Sequence, residues 1–316
     1  MVINIMNICY VNRTAATLYE NADTTMNKTY KDSDTGVEET LVVSSISDEG
    51  LYGMPLLILE ECGDYYKVRT HYSYEAYIQK CDVIFKDEVG CQMVVNSQYV
   101  DVLSVPKVQG VPYANLTVGC LIEVTDTIAD GYRKVILLDG REGFVPDKYL
   151  MPKLFSTEAF KAEGTAADDA AFKEFLQKHL DKYFEGSEDK FREAVTETAK
   201  RYYTGTQYRW GGKSPLGIDC SGMTSMSYML NGILTYRDAR IVEGYPVKEI
   251  LRNEMKKGDL LYFRGHIALY LGDDLYIHST ARTGSNGVDF NSFNPNDKRY
   301  RKDLDEGLLK VGTIFW

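Results

Sequence analysis

The stretch of sequence that decides the fold is YRWGGKSPLGIDCSG, residues 208–222. It is a loop rich in glycine that runs directly into an apolar segment, residues 223–233, of helical length. The sequence therefore predicts that Cys220 lies near the first turn of a helix. Unpaired N–H groups and the helix dipole favour an anion there, so we expect a lowered thiol pKa and a potential oxyanion hole. Taken alone, however, a buried cysteine is more often an inert core thiol.

A second stretch, residues 257–278, predicts a β-hairpin that carries two of the four histidines. Apolar residues alternate along both strands and define one buried face: Ile267, Leu269, Leu271, Leu275 and Ile277. The two strands can share that face only if the loop between them has an odd number of residues. Gly272 suits the position of a three-residue loop that requires a left-handed backbone conformation. In this register His266 lies directly opposite His278 on the other face, with the Cβ atoms ~5 Å apart.

A thiol at a helix N-terminus and a histidine pair together predict a Cys–His–His triad. One imidazole would take the thiol proton, and the second would orient the first through its other ring nitrogen. The spacing suggests His266 as the base and His278 as the orienting residue, although alternation alone does not assign these roles. Two half-buried strand histidines without a catalytic role are the plainer alternative. A zinc site built from Cys220 and both histidines is disfavoured, because the close ligand spacing typical of structural zinc is missing.

The first half of the chain has the sequence pattern of a β structure. Up to about residue 153, short β-type runs alternate with turn residues, which is typical of small β-barrels. The predicted strands fall into two sets, 39–43, 56–60, 65–70 and 74–79 followed by 92–94, 121–125, 132–138 and 143–146. The two sets share a pattern that we interpret as a divergent tandem repeat. Helical periodicity then predicts two helices between residues 156 and 203, with a break at 185–187.

These motifs resemble those of the NlpC/p60 cysteine peptidases. The resemblance rests on residues 208–212, the core 219–222, Gly258-Asp259-Leu260, and both histidines with Tyr276-Ile277, and it spans roughly residues 195–316. It implies an α+β, circularly permuted papain-like domain with Cys220, His266 and His278 as its catalytic residues. The tandem β repeat resembles bacterial SH3 domains. We therefore predict SH3-like barrels at 1–86 and 87–153, a helical linker at 154–194 and a peptidase domain at 195–316.

The whole chain is similar to the YkfC-like γ-D-glutamyl-L-diamino-acid endopeptidases. That similarity implies cleavage of murein stem peptides, L-Ala-γ-D-Glu-diamino acid, that carry a free N-terminal L-alanine. It further implies that Asp219 pairs with the substrate ammonium, that Tyr74 closes this pocket, and that Ser221 binds the D-glutamyl carboxylate. Tyr208 and Trp210 complete the predicted substrate-binding residues. An N-cap role for Asp219 is equally compatible with its position.

The sequence departs from that subgroup at two points. Met54 follows Leu51-Tyr52-Gly53, where a glutamate is common, so a second acidic contact to the substrate amine is not placed. Arg237-Asp238-Ala239 resembles the cleft-lining segment, but Arg240 and Ile241 replace its usual polar residues. These departures concern substrate detail and leave the predicted triad intact.

Composition limits the partners and the compartment. The formal net charge of -10 argues against nucleic acid as a partner, because a phosphate backbone requires a cationic field. The sequence contains no run of ~18 apolar residues, the length that predicts a membrane span. The first residues lack the pattern of a signal peptide. The six cysteines contain no CxxC pair, so each is expected to be a small buried residue rather than part of a disulfide framework. The unpaired cysteines and the first residues favour the cytoplasm, with a secreted or surface-anchored protein as the alternative if a leader has been removed. We expect neither a metal nor a cofactor.

Two other functions remain compatible with these patterns. A wall-binding protein could use the SH3-like repeats and an inactive papain-like domain, although the intact cysteine and histidines argue against it. A papain-like amidase or acyltransferase could act on substrates outside the cell wall. The remaining histidines, His71 in a barrel turn and His179 in the first predicted helix, are interpreted as surface or linker residues.

Overall fold

The computed structural model describes residues 7–31, 36, 38–158 and 168–316. Its first part is a β domain with a seven-stranded sheet in the order β5-β2-β8-β7-β6-β1-β9 and a two-stranded ribbon, β3-β4, inserted between β2 and β5. The strands are β1 (Ile8–Val11), β2 (Ala15–Tyr19), β3 (Thr25–Lys31), β4 (Glu38–Ser44), β5 (Ile46–Leu51), β6 (Pro55–Cys62), β7 (Tyr65–Thr70), β8 (Glu75–Gln79) and β9 (Val83–Ile84).

The second β domain repeats this architecture. Its sheet has the order β12-β11-β15-β14-β13-β10-β16, which matches the first sheet strand for strand and confirms the predicted tandem repeat. The strands are β10 (Gln92–Val95), β11 (Val100–Leu103), β12 (Pro112–Leu116), β13 (Leu121–Ala129), β14 (Tyr132–Ile136), β15 (Glu142–Pro146) and β16 (Leu150–Pro152). Asp130 and Gly131, both with positive φ, form the two-residue turn between β13 and β14, as right-handed strand twist favours.

The two β domains pack closely against each other. A Cβ atom on Gly53 would lie 2.0 Å from the carbonyl oxygen of Leu121, so only glycine fits there. The Leu121 N–H donates to the Tyr52 carbonyl at 2.7 Å, and the Tyr52 hydroxyl accepts from the Leu138 N–H at 2.7 Å. Backbone contacts of this kind hold the two repeats in one relative position.

The last part of the chain combines helices with a six-stranded sheet of order β19-β24-β20-β21-β22-β23. Its elements are α1 (Asp169–Tyr183), α2 (Glu188–Tyr203), β17 (Lys213–Ser214), β18 (Gly217–Ile218), α3 (Cys220–Met229), β19 (Lys248–Ile250), β20 (Leu260–Phe263), β21 (His266–Gly272), β22 (Leu275–Thr280), β23 (Gly287–Ser292), α4 (Lys302–Glu306) and β24 (Lys310–Thr313). The predicted break between α1 and α2 is confirmed. The predicted boundary at 194/195 falls inside α2, so it does not coincide with the end of an element.

Helix α3 lies at the centre of this last part. All of its residues are buried, and Met223 and Met226 share one core with Ile267, Leu269 and Ile277 of the sheet. The opposite face of these strands is also buried, since Ala268, Tyr270 and Tyr276 belong to a second apolar cluster. The apolar face predicted by strand alternation is confirmed at Ile267, Leu269 and Ile277, whereas Leu271 and Leu275 are only half-buried. It fixes α3 against β21 and β22, the two strands that carry the histidines.

Several predictions about single residues are wrong. His71 is buried, stacks on Phe155, and both of its ring nitrogens lack a hydrogen-bond partner among the described residues. His179 is also buried, and its Nε2 lies 2.8 Å from the Asn231 carbonyl oxygen. Nearby rings contact both histidines, Tyr72 at His71 and Phe175 and Tyr183 at His179, but distant residues complete the packing, Phe155 at His71 and Phe191 at His179. Not all cysteines are core residues, because Cys81 and Cys91 are exposed.

Within the described ranges, no helix is both long and apolar enough to cross a membrane.

Candidate active site

A cleft of about 420 Å³ opens between the first β domain and the last part of the chain. The first β domain contributes Glu20, Ser47 and Tyr74, and the other wall is formed by Tyr208, Trp210, Asp219, Cys220, Ser221, Asp238, Ala239, Arg240 and Gly265. Cys220 and all five predicted substrate-binding residues thus line one cavity. The two histidines are not among its lining residues, but His266 directly follows Gly265.

Cys220 is the first residue of α3, which confirms its predicted position near a helix N-terminus. Asp219 is the N-cap, and its Oδ1 accepts from the Gly222 N–H at 2.5 Å. The glycines around this turn allow a close backbone approach, because a Cβ atom on Gly222 would lie 2.1 Å from the Gly212 carbonyl oxygen. Gly211, with φ +72°, turns the loop so that its own N–H reaches Asp219 Oδ2 at 2.9 Å. The glycine-rich loop therefore positions the cysteine through backbone contacts.

The electrostatics of Cys220 differ from the prediction. Burial, followed by the Asp219 carboxylate, raises the pKa of the thiol to about 12, against opposing effects of the Ile267 N–H, Arg237 and the Ser221 N–H. The predicted lowering of this pKa is wrong, because desolvation outweighs the partial charge at the helix N-terminus. The raised pKa favours the protonated, neutral thiol of Cys220 in the free protein.

The hairpin that carries the histidines has a different register from the one predicted. Leu269 pairs with Ile277 and Tyr270 with Tyr276, and a β-bulge follows before Gly272 meets Leu275. The turn is a two-residue loop of Asp273 and Asp274, both with positive φ, rather than a three-residue loop. The bulge supplies the extra residue that lets both strands keep one buried face.

The register shift leaves the two histidines on one face as diagonal neighbours. His266 Nε2 lies 2.7 Å from His278 Nδ1, and His278 Nε2 lies 2.9 Å from Asn291 Oδ1. Burial lowers the pKa of His266 to about 3, with further lowering by His278 and Arg301. Burial likewise lowers the pKa of His278 to about 4, against the opposing effect of the hydrogen bond that His278 makes to Asn291 Oδ1. Both rings are therefore neutral at physiological pH, and a neutral imidazole can accept a proton.

The strand segment that contains His266 lies next to the Cys220 thiol. The backbone N–H of Ile267 interacts with the Cys220 thiol, and Gly265 lines the cavity. The segment on either side of His266 is therefore next to Cys220. This placement agrees with the predicted convergence of one cysteine and two histidines, whereas their catalytic roles stay a prediction.

Asp219 is more heavily engaged than the sequence suggested. Besides its backbone contacts, its two oxygens accept from Arg237 Nη1 at 3.2 Å and Nη2 at 3.0 Å. The Ser221 hydroxyl donates to Asp219 Oδ1 at 3.2 Å and accepts from Arg237 Nη1 at 2.8 Å. The N-cap role of Asp219 is confirmed. Its predicted pairing with a substrate ammonium stays a prediction, and in that role it would share its charge with Arg237.

Arg237 belongs to a buried charge network that joins the first β domain to the cleft. Asp48 on β5 accepts from Arg237 Nε and from the Tyr72 hydroxyl, and Lys213 Nζ lies 3.7 Å from its Oδ2. The neighbouring Glu49 pairs with Arg209 and accepts from the Lys213 N–H at 3.1 Å. Sequence reasoning missed Asp48 and Glu49, because their cationic partners lie more than 150 positions away along the chain.

Asp238 is a second carboxylate that the sequence did not assign. It lines the cleft, and burial raises its pKa, opposed by the charge of Arg237. Tyr74 faces it from the first β domain: burial, and next the charge of Asp238, raise the pKa of the Tyr74 hydroxyl well above its usual range. In the sequence, the one signal for this carboxylate was the resemblance of residues 237–239 to a segment that lines the cleft in the related peptidases.

Comparisons with known proteins agree with this geometry. The sequence model of the NlpC/P60 family matches residues 205–303. The chain is 42% identical over 282 residues to dipeptidyl-peptidase 6 of Lysinibacillus sphaericus, covering 86% of this chain and 93% of that protein. It is 36% identical over 87 residues to a γ-D-glutamyl-L-lysine dipeptidyl-peptidase of Bacillus cereus, covering 25% of this chain and 26% of that protein. The crystal structure of an NlpC/P60 family protein from Bacillus cereus superimposes with a TM-score of 0.66 at 15% identity, covering 96% and 98% of the two chains, which shows a shared fold.

Proposed function

The chain belongs to the NlpC/P60 family, and from this we propose that it is a cysteine peptidase acting on murein stem peptides. We propose that it hydrolyses the bond between γ-D-glutamate and the diamino acid in peptides with a free N-terminal L-alanine. The names of its relatives, a dipeptidyl-peptidase and a γ-D-glutamyl-L-lysine dipeptidyl-peptidase, support this substrate class. The proposal includes SH3-like β domains, a permuted papain-like domain and a cytoplasmic role in recycling wall peptides.

One observation carries the proposal. Cys220 begins a buried helix inside a cleft, and the strand segment next to its thiol bears a hydrogen-bonded histidine pair. A nucleophile, a neutral base and a residue that orients the base are the parts needed for acyl transfer. An inert core thiol would not require any of these neighbours.

The proposed chemistry begins with a neutral thiol. As Cys220 Sγ attacks the γ-carbonyl carbon of D-glutamate, His266 accepts the thiol proton, so no thiolate need be stored beforehand. Backbone N–H groups at the start of α3 stabilise the oxyanion that forms. The imidazolium then protonates the departing amine of the diamino acid, leaving a thioester. His266 next takes a proton from water, and the resulting hydroxide attacks the thioester and releases L-Ala-γ-D-Glu. The His266 imidazolium returns its proton to the departing Cys220 sulfur, which restores the neutral thiol and the neutral base.

The closed end of the cleft suits a free ammonium. Asp238 brings a half-buried carboxylate, whereas both oxygens of Asp219 are already hydrogen-bonded. We propose that Asp238 forms the main ion pair with the ammonium of L-alanine, with Tyr74 above it. A cavity of about 420 Å³ is in the size range of small-ligand sites. We propose that the first β domain, which lines the cleft with Glu20, Ser47 and Tyr74, limits this end and favours short peptides over chains that continue beyond the alanine.

The decisive experiment uses a synthetic tripeptide, L-Ala-γ-D-Glu-diaminopimelate, with mass detection of the dipeptide product. The wild-type protein should release L-Ala-γ-D-Glu, and Cys220→Ala should abolish release while keeping the fold. Cys81→Ala is a matched control, because Cys81 is an exposed cysteine that does not line the cleft, and it should retain full activity. Turnover by Cys220→Ala would eliminate the nucleophile assignment, and tripeptide binding without any wild-type cleavage would favour the inactive wall-binding alternative.

A second substrate tests the ammonium site. N-acetylation of the alanine removes the charge and adds bulk where the cleft is closed, so hydrolysis of the acetylated tripeptide should fall below detection. Equal rates for the free and acetylated peptides would exclude a site built for the amine, without affecting the assignment of the nucleophile.

A further inference from the structure

The chain of hydrogen bonds that starts at His266 does not end at His278. We infer that Asn291 is a positioning residue that selects the tautomers of both histidines and so leaves a basic nitrogen on His266. Asn291 lies on β23, is largely buried, and its Oδ1 is 2.9 Å from His278 Nε2. The inference rests on the proposed function, because it assigns the base of that same site.

The orientation of the Asn291 amide is determined by its other contact. Its Nδ2 donates to the Arg299 carbonyl oxygen at 3.2 Å, and a carbonyl can only accept. The same carbonyl accepts from the Ser292 N–H at 3.1 Å, which ties residues 299–301 to β23. The amide oxygen of Asn291 must therefore be the atom that faces His278.

This orientation determines where each imidazole carries its single proton. The amide oxygen cannot donate, so His278 must carry its proton on Nε2 and present a lone pair on Nδ1. The 2.7 Å contact between the rings then requires the proton of His266 to lie on Nε2. The remaining nitrogen, His266 Nδ1, keeps a lone pair and makes no hydrogen bond with any described residue.

The opposite pair of tautomers would disable the base. With its proton on Nδ1, His278 would donate to His266 Nε2, and His266 would then carry its proton on Nδ1. That nitrogen could no longer accept a proton from Cys220. Asn291 prevents this arrangement because it would place the unprotonated Nε2 of His278 against the amide oxygen, two acceptors facing each other.

The charged groups around the rings do not substitute for Asn291. Arg301 disfavours an additional proton on either ring, while Asp289 and Asp303 favour one on His278. Asp289 is the cross-strand partner of His278, but its carboxylate accepts from the Ser285 hydroxyl at 3.0 Å. Arg301 is paired with Asp303. Among the described residues, the only side-chain acceptor hydrogen-bonded to His278 Nε2 is therefore the Asn291 amide.

The test compares Asn291→Leu, which removes the acceptor, with Asn291→Asp, which keeps one. Two-bond ¹H–¹⁵N correlation spectra of protein with ¹⁵N-labelled histidine distinguish the two tautomers, and the chain has only four histidines to assign. Wild-type His266 and His278 should both carry the proton on Nε2. Asn291→Leu should move His278 towards the Nδ1–H form and lower kcat about 10- to 100-fold, as loss of a histidine's orienting partner does, with KM nearly unchanged. Asn291→Asp should keep the wild-type tautomers and be clearly more active than Asn291→Leu.

Several outcomes would overturn the inference. An Nδ1–H tautomer of either ring in the wild-type protein contradicts it directly, even if neither variant folds. Unchanged tautomers in a folded Asn291→Leu, whether or not activity falls, would reduce Asn291 to a structural role. If the wild-type protein does not cleave the tripeptide, the proposed function fails, but the spectra need no substrate and still decide the role of Asn291.

Discussion

Replacing Asp48 with asparagine should destabilise the protein far more than the loss of an ordinary ion pair. Asp48 is fully buried in the first β domain, and its partners Arg237 and Lys213 are buried in the last part of the chain. Burial opposes the charge of Asp48, yet the two cations outweigh it and hold the pKa of this carboxyl below its usual value. Asparagine keeps the shape of the side chain but leaves two buried cations with one fewer counter-charge.

The expected cost follows from that burial. Removing one partner of a buried ion pair typically costs about 3–5 kcal/mol, because the remaining charge stays desolvated without compensation. At ~1.4 kcal/mol per factor of ten, this lowers the folding equilibrium constant by roughly two to four orders of magnitude. Domains of ordinary stability, about 5–15 kcal/mol, would then be close to unfolding.

Urea denaturation at pH 7, followed by fluorescence, measures this change. Asp82→Asn is the matched control, because Asp82 lies in the same β domain and pairs with the exposed Arg13 at 2.9 Å. Such surface pairs contribute less than about 1 kcal/mol. Combining Asp48→Asn with Lys213→Met should cost less than the sum of the single changes, since the second substitution removes one of the stranded cations.

The activity of Asp48→Asn should also fall, because Arg237 joins Asp48 to the Asp219 carboxylate that caps α3. Equal, small losses of stability for Asp48→Asn and Asp82→Asn would refute the reasoning, as would strict additivity with Lys213→Met. In either case the network would be a consequence of packing and would not stabilise the interface between the domains.

Three further predictions follow from single sites. Burial lowers the pKa of His71 to about 3, so the unfolded chain binds a proton below pH ~6.5 that the folded protein refuses, and stability is lost as the pH falls through this window. Between pH 6.5 and 4.5 this costs about 2–3 kcal/mol, and His71→Leu should flatten the dependence measured by urea denaturation; an unchanged slope would contradict it. Asp238→Asn should reduce kcat/KM for the free tripeptide about 10- to 100-fold, chiefly through KM, whereas an unchanged KM would remove Asp238 from the ammonium site. Gly222→Ala should lower the unfolding free energy by about 1–3 kcal/mol and reduce activity, because its Cβ atom would meet the Gly212 carbonyl; an unchanged melting temperature would disprove this close approach.

The histidine hairpin shows why a partly wrong prediction still reached the right neighbours. The predicted register differs from the observed one by two residues near Ile277, because the bulge before Gly272 was not anticipated. Side chains alternate with a period of two, so a shift of two preserves the face on which each residue lies. His266 and His278 therefore meet as predicted, although diagonally, and the loop between them has another type.

At the Asp219-Cys220 turn, one property depends on neighbouring residues and another depends on the whole fold. N-capping depends on an aspartate and its next three residues, so the start of α3 could be read from the sequence. The pKa of the thiol depends instead on how much water the surrounding core excludes. That core comes from the sheet and from the first β domain, and for this reason the predicted direction of the shift was wrong.

The sequence by itself determined the features that rest on short-range rules. These are the two repeated β domains, the break between α1 and α2, the first residue of α3, and the shared face of the two histidines, since capping and alternation act within a few residues. Only the tertiary structure decided which charges meet. Asp48 reaches Arg237, Asp238 faces Tyr74 and Asn291 receives His278 because separate elements pack together. Charges and rings that are distant in sequence acquire partners, and altered pKa values, only when folding removes water from between them.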